Sequence, residues 1–170
     1  MEVTRLPLRL AQDPRRVILT YLVLSNEGRI YQLIDDVAAL SDEEVQRLLA
    51  EVYARFQHRH THFEEMIEEH YARAIRQYAG VGPATDDRRR LLGAYFSKEY
   101  SNQAVALFNP SIVPHPDQTG VAEGSLRFIM SLRATGEGHL SSIEFRSGTV
   151  DAAGDMTLDT PTGYSQLPEH

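Results

Sequence analysis

The runs AVALFNPSIVP (104–114), SLRFIMSLRA (125–134) and HLSSIEFR (139–146) decide the fold of the second half of this chain. Each is short and rich in apolar residues. They are separated by turn-forming clusters at Pro114-His115-Pro116-Asp117, Gly136-Glu137-Gly138 and Ser147-Gly148, and Gly154-Asp155 precedes a further run, Met156-Thr157-Leu158. Short apolar runs punctuated in this way spell a meander of antiparallel strands joined by hairpins. The tail from Thr160 to His170 reads as a loop.

Upstream of Ser101 the period changes from that of strands to that of helices. Ser41-Asp42-Glu43-Glu44 fits a capping box, and its acidic residues suit the positive end of a helix dipole. Val45, Leu48, Leu49, Val52, Phe56, Phe63, Met66, Ile67, His70 and Ala74 continue an apolar stripe, read as one long helix or as two with a bend near Arg59–Thr61. Gly80-Val81-Gly82-Pro83 ends it. An earlier helix spans about Arg29 to Ala39, and Thr85 caps another that runs to about Tyr100. Residues 3–10 and 16–24 read as extended segments about a turn at Gln12-Asp13-Pro14, which gives a short β-hairpin at 3–24. The expectation is therefore an α+β chain, with a mainly helical region at 1–101 and a β-meander at 102–170.

Composition narrows the function. The 170 residues carry a net charge of −7, which argues against a general nucleic-acid binder. In Arg88-Arg89-Arg90 the charges follow Asp86 and Asp87 and read as a solvated helix start. No run approaches the roughly 20 apolar residues of a membrane span, and the first residues do not form a secretory signal. With no cysteine, disulfides and thiolate sites are excluded and a cytoplasmic location is expected.

His58 and His62 lie four apart beside Glu65 and Glu69, yet the glutamate of zinc-protease helices is missing and surface histidines explain the pattern. No metal or cofactor is expected. No nucleophile elbow or phosphate loop occurs. Glu137, Glu144 and Asp151 read as solvated turn acids, because no spacing pairs them. Asn109, beside Pro110, interrupts one apolar strand, and Arg133 ends another. Amide and guanidinium groups on strands need polar partners. A turn role for Asn109 and a structural carboxylate for Arg133 satisfy that need, and so do sugar hydroxyls.

The segments LFNPSIVPHPDQ (107–118) and GSLRFIMSLRATGEGHLSSIEFRSG (124–148) resemble the opening blade of glycoside hydrolase family 130, the mannoside phosphorylases and related β-mannosidases. LSDEEV and LLGAYFSKEYSNQAVALFNPS are similar to the N-terminal helical extension of its longer members. The resemblance implies the first blade of a five-bladed β-propeller whose central pocket binds a mannoside. Phosphate or water attacks the sugar with inversion, helped by an aspartate acid. In the family an asparagine after a phenylalanine on the first inner strand contacts the sugar, and Asn109 occupies that place. An arginine closing the next strand lines the same site, and Arg133 matches it. Pro110 stands where some members have serine.

The family's acid and its phosphate-binding residues lie in later blades without counterpart here. Propellers need roughly 4–8 blades, so the chain reads as too short for a complete enzyme. The expectation is the N-terminal portion of a β-mannoside-acting glycosidase or glycoside phosphorylase, inactive alone. Asn109 and Arg133 are then its substrate-binding residues, and inorganic phosphate is a co-substrate of the completed enzyme. The expected partners are a mannoside-type carbohydrate, the missing propeller fragment, or a second copy of the chain. The alternative is a stand-alone oligomerisation or binding module, with the 45–74 stripe packing a dimer.

Overall fold

The computed structural model describes residues 6–78 and 84–165. The chain is α+β and separates into two compact units. Of the described residues, one unit comprises 17–100 with 164–165, and the other comprises 6–16 with 101–163.

In the helical unit, β1 (Val17–Tyr21) is followed by α1 (Glu27–Ala39) and α2 (Asp42–Phe56). Next come α3 (Phe63–Gln77), α4 (Asp86–Tyr95) and β2 (Ser97–Ser101). Each of α1, α2 and α4 starts where a side-chain oxygen accepts an otherwise orphaned backbone N–H. Asn26 takes that of Arg29, Ser41 that of Glu44 and Thr85 that of Arg88. Glu44 reaches back to the Ser41 N–H at 2.8 Å and completes the capping box. The 42–77 stripe is two helices. A 3₁₀ turn at Gln57–Arg59 and a left-handed His62 (φ 57°) redirect the chain between α2 and α3. The Gly80–Pro83 stop lies outside the described residues.

Ile30, Ile34, Val37, Val45, Leu49, Leu91, Leu92 and Phe96 form the main core, and Leu19, Phe63 and Ile67 a smaller one. Burying a side chain of this size contributes about 2 kcal/mol. The apolar stripe expected to pack a dimer is thus largely consumed within its own unit.

The basic run is less solvated than its sequence suggests. Arg88 donates to the carbonyls of Val37, Ala38 and Leu40 and to Asp42, so its guanidinium closes the C-terminus of α1, where a cation also complements the helix dipole. Arg90 bridges to Glu64 at 2.7 Å and Glu68 at 3.1 Å on α3.

Two histidines of this unit are buried. His60 Nε2 meets Glu99 at 2.9 Å, and His70 Nδ1 lies 2.6 Å from Ser97 Oγ. Ser97 spends its only hydroxyl hydrogen on the Gly93 carbonyl, so His70 Nδ1 is the donor in that pair. Burial holds both imidazoles below their ordinary pKa, against the opposing pull of Glu99 on His60 and of Glu69 on His70. The unfolded chain protonates these groups near ~6.5 while the folded chain resists, so the unfolded state binds more protons and stability rises with pH. The helical signal should therefore melt at progressively lower temperature as pH falls from 7.5 through 6.5 toward 5. A flat profile over that range would contradict this assignment.

Two sequence expectations need correction here. The hairpin at 3–24 is not formed among the described residues: 6–16 contain no strand, β1 pairs instead with β2, and residues 3–5 lie outside the described residues. α4 ends at Tyr95 rather than Tyr100, because residues 97–101 are taken up as the strand beside β1.

The β unit is a four-stranded antiparallel meander of β3 (Ala106–Pro114), β4 (Leu126–Thr135), β5 (Ser141–Val150) and β6 (Met156–Leu158), in sequence order. Alternation along β4 sends Phe128, Met130, Leu132 and Ala134 to one buried face. Leu10, Leu107, Val150, Met156 and Leu158 pack on that side. The β3–β4 connection is held by Gln118, whose amide accepts from the Arg127 N–H at 3.0 Å and donates to the Arg127 carbonyl at 2.8 Å. The loop at Asp151–Asp155 turns on Gly154 (φ 89°).

Candidate functional site

The second face of the sheet carries Arg133, one of the two residues singled out from sequence, and Asn109 lies in a bulge of the neighbouring strand. Arg133 of β4 stands opposite Phe108 of β3 and Ile143 of β5, while Ser131 stands opposite Phe145. Directly paired residues project to the same side, so these groups share the face opposite Phe128, Met130 and Leu132. That face is open. Ile143 is 61% and Phe145 64% exposed.

Between Phe108 and Ser111 the register of β3 with β4 slips, and Asn109-Pro110 is the irregularity. Asn109 adopts φ 52°, a left-handed conformation that asparagine tolerates better than most residues. Proline cannot donate to the ladder, and β3 is an edge strand, where such a break is admissible. Bulges re-aim side chains, and positive φ at a non-glycine residue stores backbone strain. Asn109 is exposed, and its side-chain amide makes no hydrogen bond among the described residues.

Arg133 is fixed on both sides. Its guanidinium carbon lies 5.5 Å from the centre of the Phe108 ring. Its Nε and Nη2 donate to Ser141 Oγ at 3.2 and 3.0 Å. A serine hydroxyl, not a structural carboxylate, is therefore its polar partner, and the remaining guanidinium hydrogens are available to an acceptor from outside. Along β3, the bulge at Asn109 begins one residue after Phe108, the partner of Arg133.

Phe108 and Ser141, which hold the arginine, were not singled out from sequence. The only signal for them is register, which no single run displays. The planar cation and the aromatic ring on the open face can donate to hydroxyl or carboxylate oxygens and stack on an apolar ring, with the Asn109 carboxamide in the adjoining bulge.

The carboxylates are not gathered at this face. Glu144 corrects its reading as a solvated turn acid: it is buried in β5, receives a hydrogen bond from Asn102 Nδ2 and pairs with Arg146 at 3.2 Å. Glu137 accepts from the Ser101 N–H at 3.3 Å. Asp151 Oδ1 accepts from the N–H groups of Ala153 and Asp155 at 2.9 and 2.8 Å, which closes its own turn. His62 pairs with Glu65 at 3.0 Å, and among the described residues no three His, Asp or Glu side chains are grouped to hold a metal ion. Nor, among them, is any helix long and apolar enough to cross a membrane. Compared with family models, curated proteins and solved structures, the chain matches none of them.

Proposed function

We propose that the β unit is the first blade of a β-propeller acting on β-mannosides, in a cytoplasmic glycosidase or glycoside phosphorylase, with Asn109 and Arg133 contacting the sugar. One observation carries the reading. A four-stranded antiparallel meander has one face packed and the other exposing Ile143 and Phe145, with the strained Asn109 bulge beside Arg133. A propeller blade separated from its neighbours has this form, because the next blade buries the second face. The blade holds a sugar-contacting edge, and among the described residues no acid is placed beside it to protonate a leaving group. It is therefore inactive until further blades close the pocket and supply that acid, with phosphate or water as the acceptor.

The test mixes the chain with a fragment carrying the remaining blades of a five-bladed β-mannoside-cleaving enzyme. Release of 4-nitrophenol from its β-mannoside is followed with and without inorganic phosphate. The mixture should be active where neither part is. Arg133→Ala should then cost about 10- to 100-fold, as expected for losing a hydrogen bond from a charged donor. A folded mixture without activity rejects the proposal.

The exposed Ile143 and Phe145 also support a second reading, a stand-alone module whose sheet face is covered by another copy of the chain. Sedimentation separates the two: a tight dimer dispersed by Phe145→Asp supports the module, and a monomer supports the blade.

A further inference from the structure

The packed side of the β unit carries a second feature, away from Asn109 and Arg133. Arg9, Leu10, Asp13, Arg15, Arg16, Gln103, Leu107 and Arg146, with the 160–163 loop, line a cleft of about 470 Å³. Arg146 and Glu144 stand opposite Met130 and Leu132, which puts them on the buried face rather than the open one.

The charge of this cleft runs against that of the chain. Arg9, Arg15, Arg16 and Arg146 line it, and the only acid among the lining residues is Asp13. Asp13 is already held by Arg15, through bonds of 2.9 and 3.0 Å. Glu144, behind Arg146, is likewise engaged by Arg146 and Asn102. Arg16 is 8% exposed and anchored by Nη1 to the Thr162 carbonyl at 2.7 Å. Burial, followed by the like charge of Arg146, pulls the Arg16 pKa below its ordinary value. Asp13 and Glu144 each offset one of the four arginines, and guanidinium donors gathered in a partly dry cleft suit a bound anion.

Gln103 supplies the independent observation. It is fully buried, its Oε1 accepts the Asp13 N–H at 3.3 Å, and its Nε2 has no acceptor. Buried side-chain donors of this kind are rarely left unpaired. A carboxamide donor beside guanidinium groups calls for an oxyanion.

We propose that this cleft binds a small organic oxyanion, with a phosphate monoester as its best match. Several guanidinium groups lining one cleft favour an anion with many acceptor oxygens over a monocarboxylate. Guanidinium groups bind phosphate oxygens in pairs. The volume exceeds what inorganic phosphate fills, and Leu10, Leu107 and Pro161 offer the organic part an apolar wall. The site is independent of the glycoside reading and stands or falls separately from it.

The test is calorimetric titration of the full chain with glycerol phosphate, inorganic phosphate, succinate and chloride at matched ionic strength. Glycerol phosphate should bind saturably and more tightly than inorganic phosphate. Arg9→Gln, an exposed change that leaves the packed face intact, should weaken it several-fold, and Gln103→Leu about tenfold or more, the worth of one charge-assisted hydrogen bond. If Gln103→Leu fails to fold, Arg9→Gln together with Arg15→Gln carries the same test. Succinate binding as tightly as glycerol phosphate overturns the phosphate assignment. Absence of saturable binding above chloride overturns the site.

Discussion

Replacing Gly93 with alanine should cost the helical unit about 3 kcal/mol or more, although alanine is the better helix former. Gly93 lies in α4 where that helix crosses α3. A Cβ built there falls 1.9 Å from the Ile67 carbonyl oxygen, 2.8 Å from its carbon and 3.3 Å from Tyr71 Cβ. The two nearest atoms are backbone, so no rotamer change removes the overlap and the helices must separate. Ile67 and Leu91 have no exposed surface at all, and separation opens the core around them. The Gly93 carbonyl also accepts the Ser97 hydroxyl that in turn receives His70, so a displaced α4 strains that chain as well. The helix propensity gained, ~1 kcal/mol, does not offset these losses. Urea denaturation followed by the helical circular dichroism band measures the effect. Gly163→Ala, where a Cβ meets nothing within 4 Å, should stay within about 0.5 kcal/mol of the parent chain. If Gly93→Ala unfolds at the parent's urea concentration, the close crossing of α3 and α4 is wrong.

Much of this architecture is legible in the sequence because it rests on local chemistry. Ser41-Asp42-Glu43-Glu44 announces a helix start by the hydrogen bonds its own side chains make. The alternation Phe128, Met130, Leu132, Ala134 announces a strand with one buried face, and it also places Arg133 on the other. What the sequence hides depends on partners distant along the chain. Ser97-Lys98-Glu99-Tyr100-Ser101 has little strand character of its own and is a strand because β1 lies beside it. For the same reason β1 shows no sign that its partner is remote, and its local chemistry fits a hairpin with the preceding residues equally well. At the site, the interruption at Asn109-Pro110 is visible, whereas its form as a bulge beside an arginine stacked on Phe108 follows from register. Arg88 and Glu144 look like surface charges in a linear reading, since nothing local shows that one closes a helix and the other is enclosed in a sheet.

That enclosure makes the loss of Glu144 costly to the β unit. Glu144→Ala removes the acceptor of Asn102 and the counter-charge of Arg146, whose side chain is only 9% exposed. Arg146 can keep its bond to the Phe145 carbonyl at 2.8 Å, but a carbonyl does not balance a buried charge, and Arg16 adds a repulsive neighbour. Breaking a buried pair from one side costs about 3–5 kcal/mol. That is a large part of the ~5–15 kcal/mol that holds a typical domain together. Glu144→Gln keeps an acceptor for Asn102 while losing the charge, and should fall between parent and alanine variant. Glu144→Leu combined with Arg146→Met should recover most of the loss, because removing both charges also removes the cost of burying them. Amide exchange along β4 and β5 reads all three variants, since those strands hold the buried face together. Rescue by the double variant would show that the pair is needed for its mutual neutralisation, not for any attraction that apolar contact cannot replace. An alanine variant with parental exchange rates would instead mean that Arg146 does not depend on Glu144.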